Sequence, residues 1–116
     1  MSILGAYFGT IRKRPVITVS ADWGSNTGAS PIASATRTLT VPSGSSGVIK
    51  FGLTNSGKYS KNAGAFTNIV DNATLSVANG DTLQFNFTSA ASDSTTVTVT
   101  DNAFGDLIGS WTGTVP

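Results

Sequence analysis

Asp101 and Asp106, with Asn102 between them, are oxygen donors of the kind Ca²⁺ takes. Their spacing matches no defined calcium loop, and two carboxylates seldom complete a coordination shell. A turn between strands is therefore expected there, with no metal and no other cofactor. Arg12, Lys13 and Arg14 form a basic run that could meet an acidic protein surface or nucleic acid. Three bases neutralise only a few phosphates, so such binding would be weak and salt-sensitive. No base-reading motif accompanies them and aromatics do not interleave with them, so nucleic acid is not an expected partner; a solvated turn is the plainer role. Trp23, Trp111, Tyr7 and Tyr59 could form an aromatic platform for a sugar. Trp111 falls on the apolar parity of its strand, which points to the core instead. The chain has no Cys and no His. That excludes disulfides, thiolate nucleophiles, imidazole acid–base chemistry and the usual triads. Asp, Lys, Ser and Tyr remain, and they compose no nucleophile–base set, so an enzyme is not expected.

The elements that would position these residues follow from composition and pattern. A length of 116 residues suits one domain, and 39% hydrophobic content is enough for a packed core. Only 11% of residues are charged, under half the roughly 25% of an average soluble domain. Polarity comes instead from Thr, Ser and Asn, and no Glu is present. Thr, Val and Phe favour strands, so the expected class is all-β. Residues 1–61 hold all seven bases and one acid, Asp22, whereas residues 62–116 hold five acids and no base. This asymmetry fits a basic arm or oppositely charged faces, unless strands from both halves interleave and mix the charges.

Residues 1–15 stand apart as an N-terminal arm, apolar and glycine-broken over MSILGAYFG, then basic over TIRKRP. It has neither a period of 2 nor of 3.6. Ile3, Leu4, Tyr7 and Phe8 are candidate anchors for a neighbouring subunit, because clustered apolar and aromatic groups on an arm gain by burial in a partner. Packing on the arm's own sandwich is the alternative. Arg12, Lys13 and Arg14 complete this candidate partner-binding arm. The apolar run is too short to span a bilayer. Its bases follow it rather than precede it, so no secretion signal is readable and no membrane partner is expected.

Residues 16–116 read as a sandwich domain. Residues 16–23 (VITVSADW) alternate, with Ile17, Val19, Ala21 and Trp23 on one face, and residues 24–35 read as a loop. Further strands are expected over 36–41, 48–54, 58–61, 66–70, 73–77, 82–88, 95–101 and 107–115. In the last of these, Leu107, Trp111 and Val115 share a face. Asn62-Ala63-Gly64-Ala65 is expected to close a hairpin, and Asn79-Gly80-Asp81 to form a turn. Short strands spaced by turns, apolar on one face and hydroxyl-rich on the other, are the pattern of an antiparallel sandwich.

Some of these stretches carry a resemblance. Residues 77–85 (VANGDTLQF), with SAAS at 89–92, TVTV at 96–99, RTLTVPSG at 37–44 and YSKNAGAFT at 59–67, resemble the immunoglobulin-like β-sandwich modules of bacteriophage structural proteins and bacterial surface proteins. Together they span roughly residues 36–115. The resemblance implies an immunoglobulin-like sandwich with a short arm, in a non-enzymatic virion component: a capsid decoration protein, or a neck or tail accessory subunit. Its partners would be other virion proteins and copies of itself, and its location the virion. The alternative is a carbohydrate- or receptor-binding module of a tail tip or cell surface. Residues 60–64 (SKNAG) are also similar to the turn of an Asp-box hairpin, but Asn62 replaces the aspartate and one copy occurs, so an ordinary hairpin turn is expected.

Overall fold

The computed structural model describes residues 15–116. In chain order the strands are β1 (Thr18–Val19), β2 (Gly24–Thr27), β3 (Ile32–Ala33), β4 (Arg37–Thr40), β5 (Val48–Leu53) and β6 (Lys58–Lys61). They continue as β7 (Thr67–Asn68), β8 (Thr74–Ser76), β9 (Thr82–Phe87), β10 (Asp93–Asp101) and β11 (Leu107–Val115). One sheet runs β1-β4-β9-β6-β7, with β3 also on β9; the other runs β2-β11-β10-β5-β8. The two pack as an all-β sandwich. Every pairing is antiparallel except β2 on β11.

The longest strands are those whose sequence alternates most cleanly. In β9, Leu83, Phe85 and Phe87 are buried while Thr82, Gln84 and Asn86 are not. In β10, Thr95, Val97, Val99 and Asp101 are buried and Thr96, Thr98 and Thr100 face out. Phe85 sits at the centre of the core: Trp23 meets it edge-on at 5.0 Å, Phe51 edge-on at 6.3 Å, and Trp111 stacks at 6.3 Å. Truncating one such ring to Ala costs about 3–5 kcal/mol, a large share of the stability of any domain this size.

Two glycines make room for the indoles. A Cβ on Gly109 would lie 2.7 Å from Trp23 Cζ3, and one on Gly113 would collide with the Trp111 ring. Gly109, Trp111 and Gly113 share the inner face of β11, so this strand offers one bulky side chain between two slots.

The sequence expectations need three corrections. Residues 16–23 do not form one strand. The chain bends after Val19 and crosses from the first sheet to the second, leaving Ala21 exposed while Ile17 and Trp23 are buried. The expected loop contains two strands. β2 (GSNT) has no apolar pattern and is held by parallel pairing to Trp111–Thr114 and by Trp111 Nε1 donating to Asn26 Oδ1 at 2.9 Å. Leu107 does not share the Trp111 face. A bulge shifts the register so that Thr100 pairs Leu107, which turns Leu107 to the outer face, 66% exposed.

Candidate functional site

The candidate arm residues Ile3, Leu4, Tyr7, Phe8, Arg12, Lys13 and Arg14 lie outside the described residues. What is described is the place where the arm joins the sandwich. Ile17 N donates to Asp101 Oδ2 at 2.9 Å, and both residues are buried. Pro15 lies beside Gly44. The chain therefore enters at the pole formed by the ends of β10 and β4 and the start of β5. Phe104, 40% exposed, and Leu107 stand at this same pole, around the β10–β11 turn.

Asp101 also holds its own turn. Its other oxygen, Oδ1, accepts from Ala103 N at 2.9 Å. Asp101 N donates to Asp106 O and Gly105 N to Asp101 O, which closes the turn. Both carboxylate oxygens serve the backbone, so the expected turn is also a clamp on the incoming chain. Among the described residues no three Asp or Glu side chains gather as metal ligands.

The tryptophans offer no sugar platform. Trp23 and Trp111 are buried, and Trp23 Nε1 donates to Leu83 O at 3.0 Å. Tyr59 stacks on Phe51 at 5.2 Å and is half-buried. Tyr7 lies outside the described residues.

The hairpin after β6 has a role that its sequence does not announce. Asn62 and Ala63 have φ of 55° and 60°, and Gly64 N donates to Lys61 O at 3.0 Å, the geometry of a tight primed turn. Asn62 Nδ2 donates to Asp81 Oδ1 at 3.0 Å, and its Oδ1 accepts from Thr82 N at 2.9 Å. Asp81 Oδ2 accepts from Ala78 N at 2.8 Å. The Asn62 amide first, and the Ala78 N–H after it, hold the Asp81 carboxyl below its ordinary value. Asparagine in place of the Asp-box acid is what lets this residue donate to Asp81.

Two open clefts mark the described surface. One, about 360 Å³, lies on the outer face of β5 and β10, between Lys50, Thr98 and Thr100 on its floor and Asn72 and Asn102 on its rim. The other, about 370 Å³, lies at the opposite pole from the chain entry, where β5 passes to β6, and Lys58, Asn68 and Asn86 line it. Sequence reasoning missed both, because each draws on several separate segments.

No protein-family model matches this chain, and no curated protein matches it.

Proposed function

We propose that the protein is a non-enzymatic structural subunit of a bacteriophage particle, a capsid decoration or neck or tail accessory subunit, and that it docks on its neighbour through residues 1–14. The observation that carries this reading is the Ile17–Asp101 clamp. It pins the start of the described sandwich at one pole, the pole that also carries Phe104 and Leu107. The described core runs from Ile17 to Trp111. Ile3, Leu4, Tyr7 and Phe8 would gain by burial in a partner, where apolar and aromatic groups are favoured. The hydroxyl-rich, weakly charged surface and the immunoglobulin-like strand motifs support the same reading. The partners would be other virion proteins and copies of this chain, assembled in the virion.

Quantitative mass spectrometry of purified particles tests it. The protein is expected in fixed, high ratio to the major capsid or tail protein. A variant lacking residues 1–14 is expected to fold yet be absent from particles. Absence of the intact protein from particles, or normal incorporation of the truncated one, defeats the proposal.

A carbohydrate- or receptor-binding module is the second reading. The buried tryptophans remove its aromatic form, and the cleft lined by Lys58, Asn68 and Asn86 favours a polar form of it.

A further inference from the structure

We infer that the cleft at the pole opposite the chain entry is a saccharide-binding site, an inference that rests on the second reading above. Lys58 pairs with Asn68 of β7 on one side and Asn86 of β9 on the other. Residues directly opposite on neighbouring strands point the same way, with Cβ atoms roughly 4.5–5.5 Å apart. An amide, an ammonium and a second amide therefore stand in one row across three strands. Tyr59 and Phe85, next along β6 and β9, turn the other way into the core. Ser56 and Thr88 bring exposed hydroxyls to the rim, while Leu53 and Ile69 supply an apolar wall.

These groups are open for a ligand. Among the described residues, no hydrogen bond or ion pair occupies the Lys58 ammonium, the Asn68 amide or the Ser56 and Thr88 hydroxyls. Asn55, at the same cleft, is by contrast tied to Asp93 and Ser94. Asn86 Oδ1 is shut off from water and accepts no hydrogen bond.

The mixture of groups selects the ligand class. A small anion is best met by donors alone and a metal ion by acceptors alone. Here donors and acceptors alternate at strand spacing around a single cation. A sugar hydroxyl both donates and accepts, and the C–H face of the ring suits Leu53 and Ile69. Concave sites of this kind combine a few placed polar groups with apolar walls.

The test uses the full chain, labelled for amide NMR, titrated with glucose, galactose, mannose, rhamnose and N-acetylglucosamine, with glycerol as a polyol control. At least one sugar is expected to shift the amides of residues 56–58, 68–69 and 86–88, saturating with Kd on the order of 1 mM, while glycerol does not. Lys58→Ala and Asn68→Ala alter exposed side chains and leave the sandwich folded, as read from unchanged amide dispersion elsewhere. Each is expected to weaken binding at least tenfold. Saturable shifts confined to other residues, or cleft shifts that both variants leave intact, overturn this site while the second reading stands. No saturable shift with any of the five sugars overturns both this site and the carbohydrate form of the second reading.

Discussion

Asp101 and Asp81 look alike in the sequence and do different work in the fold. Asp101 is fully buried and spends both oxygens on backbone donors. Bonds to a charged acceptor contribute about 1.5–3 kcal/mol each, and losing the acceptor strands two N–H groups. Asp101→Ala is therefore expected to lower the free energy of unfolding by about 3 kcal/mol, read from urea midpoints at neutral pH. Asp81 lies at the surface edge, and its folded-state pKa is lowered by Asn62 and Ala78. With the folded value below the unfolded one, the unfolded chain takes up the proton first as pH falls. The stabilisation is whole at neutral pH and is lost through the acid range, as pH drops past the ordinary carboxylate value toward the lowered one. Urea unfolding from about pH 6 down to about pH 2 is expected to show this loss, and Asp81→Asn to flatten it. A wild-type profile with the same slope as the variant would sink the assignment.

At the scale of the element, β11 is the strand whose details matter most. Its inner face places Trp111 between Gly109 and Gly113, and both glycines leave space that an indole fills. Gly109→Ala puts a methyl against the Trp23 ring, and overpacking of this kind costs about 1–3 kcal/mol. The expected result is a lowered urea midpoint with a redder tryptophan emission, as the indole is pushed from its slot. Unchanged stability would mean that the strand yields freely there. The bulge at the start of β11 has the opposite effect on Leu107, turning an apolar residue out beside the chain entry. β2 shows how little side-chain pattern a strand needs once a partner strand offers free backbone groups.

Across the whole molecule, the sandwich has two unlike poles. The chain enters at one, beside Phe104 and Leu107. The other carries the polar cleft around Lys58, Asn68 and Asn86. A subunit docked through the first pole would present the second outward. Deleting residues 1–14 is expected to leave the two tryptophans shielded, so emission and acrylamide quenching should match the intact chain, because the described core begins at Ile17. A strongly quenched truncation would mean that the arm belongs to the domain rather than to a partner. The hydroxyl ladder on the outer face of the second sheet, with Thr96 Oγ1 and Thr112 Oγ1 3.2 Å apart, holds whichever pole faces out.

Much of the fold was legible in the residues themselves. Alternation over 48–54, 82–88 and 95–101 placed β5, β9 and β10 and their buried faces, because a two-residue period is a local property of an extended chain. The hairpin at 62–65 and the turn at 79–81 were legible for the same reason, through Asn and Gly at the required positions. Apolar parity also placed Trp111 in the core. Contacts between distant segments were not legible. Ile17 meets Asp101 across 84 positions, and Asn62 meets Asp81 across 19. Nothing near either acid in the chain distinguishes a clamp, or a lowered pKa, from an ordinary turn carboxylate. The side of Leu107 depended on one bulge, and the cleft on strands β6, β7 and β9 lying side by side. Sequence alone determined the cleanly alternating strands β5, β9 and β10 and their inner faces, since a two-residue period follows from neighbours along the chain. Tertiary structure alone decided which polar groups are spent on the backbone and which stay open, since that depends on what the other sheet, edge or turn brings within hydrogen-bond reach.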